Sequence, residues 1–144
     1  MLKNMLKDCA IDRVSNAAAA GTTAINSSRV DMSGYDGVCF VVLLGDVTDT
    51  SVVTATGYRN SADSTSGATT TGVSATYTCG ASDADNKILV VDVYNPQQQY
   101  AYCNLTRTTA NAVVDGILAI RYHGTKSPIT QGSTVLASGS GRSA

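Results

Sequence analysis

The chain has 144 residues, a formal net charge of −1 and an isoelectric point near 5.6. That length makes one domain of ordinary size, and near-neutrality removes the basic stripe on which nucleic-acid binding depends. Charged residues are 15 % of the chain, against about 25 % in ordinary domains. The gap is filled by 15 Ser and 18 Thr, and the eleven acids are all Asp. Such a Thr/Val/Ser/Gly-rich chain forms helices badly and short strands well. With no Trp and Phe40 as the one Phe, the core must rest on Val, Ile, Leu and Tyr. No run approaches the roughly 20 apolar residues of a membrane span. Met1–Lys7 lacks the apolar centre of a signal peptide, so the expectation is a protein made in a reducing cytoplasm and acting away from membranes.

In chain order, Met1–Lys7 (M-L-K-N-M-L-K) reads as one or two helical turns with Leu2, Met5 and Leu6 on a side, too short to stand alone. Cys9–Val14 alternates Cys9, Ile11 and Arg13 against Ala10, Asp12 and Val14, a half-buried strand. Ser15–Gly21 reads as a small-residue loop, Thr22–Met32 as a second strand, and Ser33–Gly37 as a turn. Val38–Leu44 (V-C-F-V-V-L-L) is apolar at every position, which predicts a strand covered on both faces and central to the core. Ser51–Tyr58 is the fourth strand. Asn60–Thr71 is a polar loop with nothing in its own sequence to order it. Gly72–Cys79 sets Val73, Ala75, Tyr77 and Cys79 against Ser74, Thr76 and Thr78. Ile88–Tyr94 is again nearly all apolar and is broken by Asn95-Pro96. Gln97–Arg107 sets Tyr100, Tyr102 and Asn104 against Ala101, Cys103 and Leu105.

Ala112–Tyr122 (A-V-V-D-G-I-L-A-I-R-Y) is the last apolar run. Val114, Leu118 and Tyr122 recur at helical spacing, but the Val/Ile content, Gly116 and the missing N-cap favour strand. Strict alternation would turn Val114, Leu118, Ile120 and Tyr122 to the core and leave Asp115 and Arg121 in water. Beyond it, residues 124–144 have almost no apolar periodicity and end in Gly and Ser. Eight short strands predict an all-β fold: an antiparallel β-sandwich, jelly-roll-like, over residues 8–123, with a flexible N-terminal arm (1–7) and an extended C-terminal arm (124–144).

Chemistry is scarce. His123 reads as an exposed strand-end residue, and no nucleophile elbow, paired Glu, H-E-x-x-H or phosphate-cradling loop occurs. Cys9, Cys39, Cys79 and Cys103 are far apart, which removes zinc. Three disulfide pairings stay open, while Cys39 and Cys103 read as small buried hydrophobes. Asp46, Asp49, Asp63, Asp83 and Asp85 fall in turns, where Asp caps its own backbone. Asp83-Ala84-Asp85-Asn86 lacks the spacing of a calcium loop. No catalytic residue, metal or cofactor is expected. What remains is surface: uncharged strand edges and arms suited to holding other proteins.

Two blocks carry a resemblance. Thr109–Val135 (T-A-N-A-V-V-D-G-I-L-A-I-R-Y-H-G-T-K-S-P-I-T-Q-G-S-T-V) resembles the C-terminal half of a family of small tailed-bacteriophage virion proteins. Members of that family share a T-x-N-x-V-x-D-G-I-x-A-x-x-Y-G strand followed by K-x-P-[VI]-T-Q. Val30–Phe40 (V-D-M-S-G-Y-D-G-V-C-F) is similar to the family's opening strand–turn–strand. The chain departs at His123, placed before the family's Gly, and in its shorter Ser/Gly-rich tail. The resemblance implies a capsid decoration, or cement, protein on the outside of the head, clamping neighbouring major capsid subunits of the same phage. It also implies self-association as a dimer or trimer, with no nucleic acid and no membrane as partner. The expected contacts are Met1, Leu2, Met5 and Leu6 in the first arm, Pro128, Ile129, Thr130, Gln131, Val135 and Leu136 in the second, and Tyr100 and Tyr102 as surface anchors. Two other readings stand beside it: a neck or tail subunit, and a receptor- or glycan-binding module.

Overall fold

The computed structural model describes residues 4–143. One helical turn, α1 (Met5–Asp8), precedes ten strand segments: β1 (Ala10–Ser15), β2 (Ala18–Gly21), β3 (Ile25–Asn26), β4 (Val30–Asp31), β5 (Gly37–Val47), β6 (Val52–Asn60), β7 (Thr69–Thr78), β8 (Ile88–Tyr94), β9 (Tyr100–Thr108) and β10 (Ala112–Tyr122). They form two antiparallel five-stranded sheets. The first is ordered β1-β10-β5-β8, with β2 also on β10; the second is β3-β9-β6-β7, with β4 also on β9.

Two of the edges are broken strands. β1 pairs with the second half of β10 and β2 with its first half, while β3 and β4 share β9 in the same way. With each broken edge taken as one strand, eight positions run 1-8-3-6 in one sheet and 2-7-4-5 in the other, the paired Greek keys of a jelly roll. The all-β sandwich is therefore as the patterning predicts. Two local readings change. The small-residue loop at Ser15–Gly21 contains β2, and Thr22–Met32 is two two-residue strands separated by a kink. Small side chains at Ala18–Ala20 are compatible with a strand once β10 supplies the partner, which the local pattern did not reveal.

The core lies between the sheets. β5 contributes Val38, Phe40, Val42 and Leu44, β6 Val53 and Ala55, β8 Val91 and Val93, and β9 Ala101, Cys103 and Leu105. β10 contributes Ala112 and Val114, then Ile117 and Ala119. That shift of parity is a correction to the strict alternation expected for β10. Val114 pairs with Leu44 and Gly116 with Leu43, so two residues of β10 oppose one of β5 and the strand carries a bulge. Gly116 has φ 153°, and a Cβ there would meet the Ser15 carbonyl at 3.2 Å and the Arg13 guanidinium at 3.4 Å. After the bulge Leu118, Ile120 and Tyr122 point outward, and Arg121 turns between the sheets. Arg121 is thus not in water as expected: it meets Asp12 at 2.9 Å, donates to the Asp31 carbonyl at 2.7 Å and stacks on the Tyr35 ring.

Arg107 closes the opposite end of the sandwich. It is 4 % exposed and donates to the carbonyls of Thr23 (3.0 Å), Ala19 (2.8 Å) and Ala112 (2.6 Å). A guanidinium can bridge several carbonyls at once, and here it ties β2 and the approach to β3 onto β9 and β10. The loop after β6 is organised as well. Buried Asn60 donates to the carbonyls of Ser64 (2.6 Å) and Ser66 (2.9 Å) and accepts from the Ala62 amide. β7 then begins at Thr69, inside the stretch expected to be loop.

Candidate interaction surface

The arms meet at one corner, on the free edge of β1. An edge strand presents unpaired backbone groups, and here two side chains of the C-terminal stretch take them. Gln131 Oε1 accepts the Ile11 N–H at 2.9 Å, and Thr134 Oγ1 accepts the Arg13 N–H at 3.1 Å. The Gln131 amide donates in turn to the carbonyls of Cys9 (2.7 Å) and Leu6 (3.3 Å). Backbone bonds from Ile129 to Lys7 and from Gly124 to Asp8, both 2.9 Å, complete the strap. Within the single chain this part of the C-terminal stretch lies along β1 and against the end of α1.

This corner gathers most of the contact residues named from sequence. Leu6, Pro128, Ile129, Gln131, Val135 and Leu136 line one crevice of about 440 Å³. Thr130 lines a neighbouring one with Pro128, Ile129 and Tyr35. Met5 is 47 % and Leu136 99 % exposed. Met1 and Leu2 lie outside the described residues. Tyr100 and Tyr102 sit elsewhere, on the outer face of the β9–β6 sheet, and they differ. Tyr100 is half-buried, whereas Tyr102 is 5 % exposed and stacks on Tyr58 at 5.4 Å. Burial pushes the Tyr102 hydroxyl above its ordinary value, and the ring offers little free surface.

The outer face of that sheet is otherwise hydroxyl and amide. Thr54 and Thr76 hydroxyls bond at 3.0 Å, and Asn104 donates to Asn26 at 2.6 Å. The outer face of the other sheet is aliphatic. Registers place Leu118, Val41 and Val90 in one row, Ile11, Ile120, Cys39 and Asp92 in the next, and Leu43 beside Ile88 in a third. Tyr122 lies across Gly37, where a Cβ would collide with the ring, and donates to Asp92 at 2.7 Å. Burial and the Asp92 carboxylate together hold the Tyr122 hydroxyl well above its usual range. On β8, Ile88 is 53 %, Val90 45 % and Tyr94 72 % exposed. The two-faced cover expected for Val38–Leu44 is therefore half present: β5 is central in its sheet, but among the described residues no second layer lies over Cys39, Val41 and Leu43. None of these outward residues was named as a contact from sequence. Their readable signal is apolarity in both alternating sets of Val38–Leu44 and Ile88–Tyr94, a pattern shared with fully interior strands.

The reactive side chains are dispersed. Among the described residues no group of three His, Cys, Asp or Glu side chains is placed to hold a metal ion. His123 faces Asp36 at 3.3 Å on the open surface. All four cysteines are free. Burial raises the Cys103 thiol to about 12 and also raises Cys9 and Cys39, which lowers the thiolate share of each. Three turn aspartates hold backbone amides: Asp49 those of Thr50 and Ala81, Asp83 that of Gly80, Asp85 that of Val47. Asp63 instead pairs with Arg29 at 2.6 Å. No helix among the described residues is long and apolar enough to cross a membrane.

No family model and no curated protein sequence matches the chain. Solved structures do share its fold. A chain of the Gt strain of infectious bursal disease virus superposes with a TM-score of 0.51 at 12 % identity, over 85 % of this chain and 34 % of that one. The VP2 subviral particle of the same virus gives 0.50 at 12 % identity, over 81 % and 33 %. This chain thus spans about a third of those viral chains. A chain from the disulfide-linked pili of Bacillus endospore appendages aligns over 81 % of this chain and 89 % of its own, at 17 % identity and a TM-score of 0.48. At such identities the viral likenesses establish the architecture, a jelly-roll sandwich.

Proposed function

We propose that this protein is a non-enzymatic structural component of a tailed-phage virion: a capsid decoration protein that binds the outer head surface and clamps neighbouring major capsid subunits. The observation that carries the reading is the corner where the arms meet. Leu6, Pro128, Ile129, Val135 and the fully exposed Leu136 are apolar groups gathered at the rim of a rigid sandwich, on segments held by a few polar bonds. Such a corner can re-seat on a lattice of neighbours at small cost, because each bond released is worth about 1 kcal/mol net. The resemblance of Thr109–Val135 and Val30–Phe40 to phage virion proteins supports the virion as the setting, and a fold shared with a viral particle chain agrees with it. Binding only the assembled lattice would stabilise that lattice by linkage.

The test is decoration of capsids lacking the protein. Removing residues 132–144 leaves Gln131 in place, so the domain keeps its β circular dichroism and its melting transition while capsid binding weakens. Truncated protein that decorates heads as tightly as the full chain would overturn the arm's role. A copy number matching a single neck ring rather than the capsid lattice would move the protein off the head.

A further inference from the structure

We propose that the aliphatic outer face of the β1–β10–β5–β8 sheet is a self-association surface, on which two copies of this chain pack face to face about a two-fold axis running along the strands. The resemblance implies a dimer or trimer but no surface for it; the face and the symmetry assigned here rest on the sheet alone and are tested without the capsid.

The face is extensive. Four strands at about 4.8 Å and four same-face rows at about 6.8 Å make a grid on the order of 400 Å² in projection. Accessible surface over protruding side chains exceeds its projection, so the face approaches the 600–1,000 Å² or so per partner of a specific interface. The largest apolar patch on an ordinary monomer is about 300–600 Å² and is often functional, and this face is of that order. Its centre is Leu118, Ile120, Val41 and Val90, with no charge among them.

The charges at the rim of the face select its partner. The face carries Arg13 at one edge, on β1, its guanidinium resting on the Ser15 and Asp115 carbonyls at 3.4 and 3.2 Å, and Asp92 at the other, on β8; Asp115 stands at the bulge beside Gly45, beyond the end of the aliphatic rows. The registers put Arg13 in the row of Leu118, Val41 and Val90, one row from Asp92. A two-fold axis along the strands reverses the order of strands across the contact, so β1 of one copy faces β8 of the other. The Cα of each Arg13 then lies within one row of the partner's Asp92, about 7 Å along the strand, a span its long side chain covers by leaving the two carbonyls, and the symmetry makes the ion pair twice. An axis across the strands would instead set β8 on β8 and bring like charges together. The face is therefore self-complementary in one arrangement, the property an isologous contact requires. Sheets packed this way lie about 10 Å apart, which closes the aliphatic centre from water.

Sedimentation velocity of the full chain over a dilution series tests the pairing. The expected result is a concentration-dependent species of twice the 14.8 kDa monomer mass. Val90 is already 45 % exposed, so Val90→Lys should keep the circular dichroism and melting of the parent while abolishing that species. Ser74→Lys, on the polar sheet, should leave association unchanged. Arg13→Glu and Asp92→Lys should each weaken dimerisation by about tenfold, and the double exchange should restore it. A chain that stays monomeric at every concentration overturns the proposal, as does a dimer indifferent to Val90→Lys. A monomer whose binding to purified capsids is lost on Val90→Lys would assign the face to the capsid and overturn the pairing equally.

Discussion

On the outside of one sheet Leu118, Val41 and Val90 stand side by side; in the equivalent row of the other stand Asn104, Thr56 and Ser74. Both rows cross three strands of the same sandwich, and the inward faces behind them are alike in being aliphatic and closed. The polar row meets its needs within the sheet and from water, through pairs such as Thr54–Thr76 and Asn104–Asn26. Such a face repels nothing and attracts little. The aliphatic row has no such outlet: leaving a Val or Leu uncovered forgoes about 1.5–3 kcal/mol relative to full burial. A jelly roll needs only its inner faces to fold, so an apolar outer face is surplus to folding and points to association.

Three measurements besides the association series separate the two faces. The largest effect belongs to the inner side of β5. Phe40→Ala should cost about 3–5 kcal/mol in urea unfolding at high dilution, while Val41→Ala, its neighbour facing outward, should cost under about 1 kcal/mol. Equal costs would mean that the outer face is already covered within the chain. Next comes the bulge that throws Leu118 and Ile120 outward. Gly116→Val forces a branched side chain into a backbone region open almost only to glycine, beside the Ser15 carbonyl. It should lower stability by about 1–3 kcal/mol in thermal unfolding.

The smallest effect separates the two faces by their thiols. Cys39 is on the outer face and Cys103 is buried in the core. The folded Cys103 thiol is raised to about 12, while an unfolded thiol ionises near 8.5–9. A group raised on folding contributes stability that is intact below its unfolded value and is lost as pH climbs toward the folded one. Stability should therefore fall above about pH 9, by on the order of 1 kcal/mol at pH 10, and Cys103→Ala should flatten that part of the decline. A thiol reagent at pH 8 should modify Cys39 in the native chain and Cys103 only on unfolding. Association should slow the first reaction; a rate independent of protein concentration would count against a covered face.

Much of the molecule was legible in the residues because period-two alternation is a local property. Cys9–Val14, Gln97–Arg107 and the inner set of Val38–Leu44 point where the pattern says. The arm residues were also readable as a group, though not the Gln131 clamp that docks them. The misses share one cause. Asn60 orders its loop through three bonds, β2 exists because β10 is beside it, and Arg107 is buried because three carbonyls from distant segments surround it. Tyr102 read as a surface anchor, yet Tyr58 and the loop region around Arg29 leave it covered. None of these partners is near in sequence.

Composition and alternation alone determined an all-β sandwich of eight strand positions, because strand propensity and side-chain parity act over a few residues. Only the tertiary structure decided which parity is inner. One extra residue at Asp115–Gly116 exchanges the faces of β10, and an apolar run reads the same whether its second face meets its own chain or awaits another. That choice depends on what stacks above the sheet, a relation between segments far apart along the backbone.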